Sequence, residues 1–341
     1  MQYQNVSILS LAHVDAPHRI TSSELSRQFA PTLERLGVPI EVLEYASGIE
    51  ARRYWDRDVQ PSEAAALAAE KALGDSGIDR SRIGIIVNTS VCRDYIEPST
   101  ACLVHHRLGL STECLNFDLG NACLGFLSGM QVVGDMIERG LIDYGLVVAG
   151  ESARFVQEAT IARLQRDETT LKEFSDQFAT LTLGSGSVAM VLARADLAPD
   201  GHRFTGIVSR AATEHSGLCR GQIDHMVTDA KALLVAGLEL ASQTFSTAKT
   251  DFGWMKDGVD QVDEYVLHQV SGTHTANLCK TLGLDTEKVL AIYPEFGNIG
   301  PASVPIALSK AAESGRLKKG SRVALMGIGS GLNCSMAEVI W

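Results

Sequence analysis

The chain has no excess of basic residues: 30 Lys and Arg stand against 41 Asp and Glu, for a formal net charge of −11. That argues against nucleic acid, which calls for a basic face, and mildly against an acidic protein partner. A run of membrane length is also missing. The longest apolar stretches, near Leu146-Val147-Val148-Ala149, are strand-sized, so no membrane span is expected. The first twenty residues have no basic segment followed by an apolar core, so no secretion signal is expected. Nor is there a disulfide framework. Cys92, Cys102, Cys114, Cys123, Cys219, Cys279 and Cys334 form an odd set without framework spacing, which points to reduced thiols and a cytoplasmic protein. The sequons at Asn5, Asn88 and Asn333 then read as chance matches. Low-complexity tracts and long linkers are absent.

Three ligand signatures are incomplete as well. His105-His106 and the scattered cysteines lack zinc-ligand spacing. "GSGS" at 184–187 lacks the Gly-Lys-Ser/Thr of a phosphate loop. "GIGSG" at 327–331 is followed by neither a helix nor the acidic residue of a dinucleotide site. No metal and no resident cofactor are expected.

What the chain does have is length and alternation. With 341 residues and 45% hydrophobic content it fits one large α/β unit or two fused halves with a substantial core. Residues 61–73 read as an alanine-rich helix, 83–90 as a buried strand and 113–119 as another. A helix follows in which Phe126, Met130, Val133 and Ile137 share one face. Gly140 ends it, and 144–149 is the next strand. Strand, helix, strand at this spacing implies parallel neighbours in an α/β sheet. The charged stretch 162–177 reads most simply as a solvated helix.

A weak internal repeat lies at an offset of 175 residues. Glu138-Arg139-Gly140 matches Glu313-Ser314-Gly315, Gly145 matches Gly320, and the apolar runs that follow agree. Under the same offset Cys123-to-Ser128 falls on Asn298-to-Ser303. Two similar halves are therefore expected, 1–196 and 197–341, with Cys123 and Asn298 at equivalent places.

Cys123 opens a helix directly after a strand. Unpaired N–H groups and the helix dipole there favour thiolate, the nucleophilic form, and the same N–H groups can hold a developing oxyanion. The opposing reading is a buried structural cysteine. Position at a strand-to-helix turn favours a site, because α/β sheets place ligands there. Two more polar residues occupy comparable turns. Residues 263–267 read as a strand ending in His268, and Asn298 sits in a glycine-flanked turn before a helix from about Ala302. Alone, the histidine reads as a satisfied core residue and the asparagine as a turn former.

The motifs "NACLGF", "VLHQVSGTH", "YPEFGNIGPASVP" and "GIGSGLNCSMAEVIW" resemble the thiolase superfamily in its ketoacyl-ACP synthase III branch. "SGIEARRYW", "YGLVVAGES" and "LTLGSGSVAMVL" extend the resemblance over nearly the whole chain. It implies a five-layer αβαβα sandwich of two like halves. It implies acylation of Cys123, with His268 and Asn298 on the thioester oxygen of the second substrate. The backbone N–H of Cys123 and one near Ser330 would hold the acyl oxygen. The segment "VNTSVCRDYIEPSTACLVHHRLGL" further resembles the OleA-type thiolases of head-to-head hydrocarbon synthesis, which join two fatty acyl-CoAs. By that resemblance Glu97, 26 residues before Cys123, is the base and comes from the other subunit of a homodimer. The competing reading of Glu97 is a solvated loop carboxylate.

The resemblance thus implies non-decarboxylative Claisen condensation to a 2-alkyl-3-oxoacyl-CoA, hydrolysed to a β-keto acid. Coenzyme A thioesters are substrates rather than cofactors, and downstream hydrocarbon-pathway enzymes are expected partners. Three rivals remain open: a decarboxylating synthase using malonyl-ACP, one subunit of a β-lactone-pathway heterodimer, and a simple cysteine hydrolase. The residues leave open the chain length and the groups that hold the CoA phosphates.

Overall fold

Runs of Ile, Val, Leu and Ala in which every residue is buried make strands covered on both faces. The computed structural model describes all 341 residues and contains several such runs. In chain order the principal strands are β1 (Val6–Asp15), β2 (Ile83–Asn88), β3 (Leu115–Asp118), β4 (Tyr144–Glu151), β5 (Gly186–Arg194), β6 (His202–Ala211), β7 (Glu264–Leu267), β8 (Arg322–Gly329) and β9 (Asn333–Ile340). They join in the order β7-β8-β9-β6-β1-β5-β4-β2-β3. All eight residues of β4 are buried, as are the first eight of β5.

The sheet is built twice. From β1 the neighbours run antiparallel to β5, antiparallel to β4 and parallel to β2. From β6 they run antiparallel to β9, antiparallel to β8 and parallel to β7. The pairs Ser7–Arg203 and Ile8–His202, with a bridge from Gln2 to Gly206 ahead of β1, join the two sets, and β3 is an extra parallel edge strand on β2. The chain passes from one set to the other at 195–201, between β5 and β6.

The helices complete the layers. They are α1 (Pro61–Ser76), α2 (Thr100–Leu108), α3 (Gly125–Glu138), α4 (Ala230–Phe252), α5 (Gly272–Leu282) and α6 (Ser303–Glu313). Phe126, Met130, Val133 and Ile137 of α3 share one core with Ile306 and Leu308 of α6 and with strands of both sets, so these helices form the central layer. The alanine face of α1 covers the outer side of β4 and β5, and α4 and α5 cover β7, β8 and β9. The result is the five-layer αβαβα thiolase-like fold. The repeat at offset 175 falls on the α3–β4 and α6–β8 units.

Cys123 lies in a short 3-10 turn, Ala122–Leu124, just ahead of α3, and two helical segments differ further from the sequence reading. Helix α1 continues three residues past Leu73, to a left-handed Gly77 cap. The stretch 162–177 is not one solvated helix. It comprises the end of a helix at Arg154–Leu164 and a second helix at Leu171–Gln177, whose Leu164 and Phe174 are buried against Phe29 and Leu33. Thr170 and Glu173 form a reciprocal capping box that starts the second helix.

Candidate active site

The turn between β3 and α3 is held from several sides. Ala122 has φ +45°, a left-handed conformation that costs a non-glycine residue about 1 kcal/mol or more. Asn121 clamps the turn: its Nδ2 donates to Ser128 Oγ at 2.9 Å, and its Oδ1 accepts from Asn333 Nδ2 at 2.9 Å. The end of β8 lies against the same turn. A methyl group on Gly329 would sit 3.0 Å from Asn121 O and Leu124 N and 3.3 Å from Cys123 N, so only glycine fits without a shift. The N–H groups of Cys123 and Ser330 donate to no protein acceptor. The turn therefore offers two free donors beside a half-buried sulfur.

The sulfur is not the thiolate that a helix N-terminus favours. Burial pushes the Cys123 thiol up to about 12, with Cys219 and then Glu151 adding to the shift. Desolvation outweighs the helix end here, and the resting sulfur carries its proton.

His268 follows β7 and is 2% exposed. Its N–H donates to Met326 O of β8 at 2.8 Å, which ties it to the strand that reaches Cys123. The ring makes no hydrogen bond, and Nδ1 is sealed without a partner. It is therefore not a satisfied core histidine. Burial, then His274, lowers its pKa to about 3, so the imidazole is neutral and can donate a hydrogen bond without bringing charge. With His274, Leu278 and Met326 it lines a narrow apolar cavity.

Asn298 is fixed by its own turn. Its N–H donates to Thr182 O at 2.9 Å, its carbonyl accepts from Gly184 N at 2.8 Å, and its Oδ1 accepts from Gly300 N at 2.9 Å. The preceding Gly297, at φ +63°, ψ −158°, adopts a conformation that only glycine takes readily. With Oδ1 occupied, the Nδ2 group is the free donor.

The structure places Glu97 differently. It lies on the loop between β2 and α2, exposed, with no hydrogen bond or ion pair. Ser99 caps α2 at Cys102 N, and Asp94 accepts from Ser62 N at 2.9 Å. The single chain does not draw Glu97 into the buried group around Cys123.

Three residues that the spacing did not single out belong to this region. Gln269 is fully buried; it donates to Leu290 O at 2.7 Å and accepts from Ile292 N at 2.7 Å and Tyr293 N at 3.1 Å. Its own N–H donates to Ser303 Oγ at 3.3 Å, so it brackets His268 to the Asn298 segment. His274 is a second neutral imidazole, its pKa lowered by burial to about 4 and its Nδ1 also unpartnered. Glu151 is a buried carboxyl with no basic partner. A polar residue just beyond a fully buried strand, as in "VLHQ", was the available signal for Gln269.

Models of 3-oxoacyl-[acyl-carrier-protein] synthase III match residues 117–211, and models of its C-terminal part match 257–341. A Xanthomonas campestris protein named acyl-CoA:acyl-CoA alkyltransferase is 54% identical, with both chains covered in full. One of the same name from Shewanella oneidensis is 38% identical, again over both full lengths. The structure of cerulenin-bound Xanthomonas OleA superposes with a TM-score of 0.97, covering 100% of this chain and 98% of that one. A cysteine-to-serine variant with bound lauric acid and lauroyl-CoA superposes at 0.96, covering 99% and 100%. Other variants of that enzyme replace a glutamate that stands 26 positions before the cysteine, the separation of Glu97 and Cys123 here.

Proposed function

The chain belongs to the acyl-CoA:acyl-CoA alkyltransferases of the ketoacyl synthase III branch of the thiolase superfamily, and from that premise we infer that it joins two fatty acyl-CoA molecules by non-decarboxylative Claisen condensation. The full-length likeness to the Xanthomonas enzyme carries this reading. It favours acyl-CoA over malonyl-ACP as the second substrate, and olefin biosynthesis as the setting.

In the first half-reaction Cys123 Sγ attacks the thioester carbon of one acyl-CoA. The tetrahedral oxygen is received by the N–H groups of Cys123 and Ser330, CoA leaves, and the thiol proton departs with it. The chain becomes an acyl-enzyme, which divides one difficult reaction into two. In the second half-reaction the carbonyl oxygen of another acyl-CoA is held by His268 and Asn298 Nδ2. Glu97 removes its α-proton, and the enolate carbon attacks the Cys123 thioester. Collapse expels the Cys123 sulfur, which regains a proton, and leaves a 2-alkyl-3-oxoacyl-CoA. Hydrolysis of that thioester gives the β-keto acid. Two neutral donors held in place suit an oxygen that becomes negative during proton removal, because they stabilise the charge as it develops.

Glu97 acts in trans in this scheme. Support comes from the free carboxylate described above and from the surface beside it. The edge strand β3 exposes Leu115 and Phe117, and the adjoining loop exposes Val91, Tyr95 and Ile96. An unpaired sheet edge flanked by apolar side chains is suited to a second copy of the same chain. A homodimer would bring each Glu97 toward the partner's site.

The test is product analysis by mass spectrometry with acyl-CoA as sole substrate, for the native protein and Glu97→Gln. The native protein should yield the condensed β-keto product. Glu97→Gln should release one equivalent of CoA in a burst and then condense roughly 100-fold more slowly or worse, the usual scale for a lost general base. A strict requirement for malonyl-ACP with carbon dioxide release would overturn the reading.

A further inference from the structure

Glu151 ends β4 and is 4% exposed, yet no Lys, Arg or His pairs with it. Its two oxygens are used separately: Oε1 accepts from Val91 N at 2.7 Å and Oε2 from Cys92 N at 3.3 Å. Those two amides are the root of the loop that carries Glu97. The neighbouring residues are tied to the same strand end. Thr89 N donates to Val148 O at 2.8 Å, Gly150 N to Ser90 Oγ at 2.8 Å, and Cys92 Sγ to Ser152 O at 3.3 Å. Beyond Cys92 the next side-chain anchors are Asp94 on Ser62 and Ser99 on Cys102, with Glu97 between them.

On its other side Glu151 abuts the Asn298 turn. A methyl group on Gly300 would lie 3.7 Å from the Glu151 carboxyl carbon, and Gly300 N is the donor that fixes Asn298 Oδ1. One buried carboxyl thus holds the root of one segment proposed to act on the second substrate and lies beside the other. An amide would put an NH2 donor where one of the two oxygens now accepts, so the two N–H groups would lose their separate acceptors.

We propose that Glu151 is a positioning residue for the condensation step, holding the root of the Glu97 loop through Val91 and Cys92 and bracing it against the Asn298 turn. The proposal rests on the reading of Glu97 as the base. Burial pushes the Glu151 carboxyl up to about 7, against the downward pull of Cys92 and the two amides. The titratable groups facing it are the Cys92 and Cys123 thiols, both neutral at pH 7 because burial raises them. The folded-state pKa is raised, so the carboxylate and its full pair of hydrogen bonds are present above about pH 7 and weaken below it.

Three readouts on Glu151→Gln test this: hydrogen–deuterium exchange of segment 89–99, the CoA burst, and condensation between pH 6 and 9. Exchange in 89–99 should quicken, and condensation should fall roughly tenfold or more, well beyond any change in the burst. Native condensation should rise with pH through about 7, and that limb should vanish in the variant. Glu151→Asp keeps the charge one methylene short and should recover part of the rate; it also serves should the glutamine variant not fold. Equal loss of burst and condensation, or unchanged exchange in 89–99, would overturn the proposal. Glu97→Gln separates the two ideas. If it condenses normally the base assignment fails, while exchange in Glu151→Gln still decides the anchor.

Discussion

Replacing Asn298 tests the second oxyanion site at its best-defined point. Its Oδ1 is held by Gly300 N at 2.9 Å and its backbone by Thr182 and Gly184, so the carboxamide has one orientation and one free donor, Nδ2. Asn298→Ala removes that donor and the turn hydrogen bond together. Losing a donor aimed at a developing oxyanion costs about 3 kcal/mol, or roughly 10²- to 10³-fold in rate. Losing the turn bond costs about 1 kcal/mol of stability, a fall of about 2 °C in Tm for a chain of this size. Asn298→Asp keeps the shape and the acceptor but removes the donor, so it separates the two effects. The assay follows free CoA by thiol titration and product by mass spectrometry. Both variants should keep the one-equivalent burst, because acylation uses the Cys123 and Ser330 N–H groups. Condensation alone should fall. If His268 and Asn298 hold one oxygen, His268→Ala combined with Asn298→Ala should cost less than the product of the single effects. Condensation within about threefold of native in Asn298→Ala, or a burst reduced as much as condensation, would refute the assignment.

Iodoacetamide should alkylate Cys123 about tenfold faster for each pH unit from 7 to 10, because burial raises the thiol to about 12 and thiolate grows only as pH rises. A rate that levels off below pH 8, followed by peptide mapping, would show a depressed pKa instead. Gly329→Ala drives a methyl group into the Cys123 turn and should slow the acylation burst roughly tenfold or more; a normal burst would show that the β8 end does not shape the site. A heterodimer of Cys123→Ala and Glu97→Ala chains should condense acyl-CoA although each parent homodimer does not, since one of its sites keeps both groups. A folded heterodimer that acylates one Cys123 and never condenses would place Glu97 within its own chain.

The inner strands were legible because their residues are buried on both faces, which leaves unbroken apolar runs such as Leu146-Val147-Val148-Ala149. The duplication was legible through glycines after helices: Gly140 and Gly315 sit at equivalent helix ends, both with positive φ. The stretch 162–177 was misread because charge dominates it, although Thr170 and Glu173 stand at capping-box spacing and mark a new start. His268 and Asn298 could be proposed from the sequence because each lies where an apolar strand or a glycine turn meets a helix. Gln269 lies just beyond one apolar strand and Glu151 ends another, but their hydrogen-bond partners are backbone groups far along the chain. Gln269 binds Leu290, Ile292 and Tyr293, and Glu151 binds Val91 and Cys92. Such partners leave no periodic trace.

The thiol of Cys123 shows why a local rule gave way. A helix end stabilises a nearby negative charge by about 1 kcal/mol when partly exposed. Enclosing the same sulfur in protein penalises its charged form by more, and Cys219 and Glu151 add to the penalty. In the proposed cycle a protonated resting sulfur has a use. A neutral thiol is a poor nucleophile until a thioester is bound beside it. Nucleophilicity then depends on a bound thioester whose carbonyl oxygen reaches the free N–H groups of Cys123 and Ser330, because the negative charge moves from sulfur onto a hydrogen-bonded oxygen as the bond forms. The second half-reaction uses the same two donors while sulfur departs. The donors are fixed by the turn and by the end of β8, so they serve attack and departure without rearrangement. The helix end matters here through where it points its N–H groups, more than through the pKa it confers.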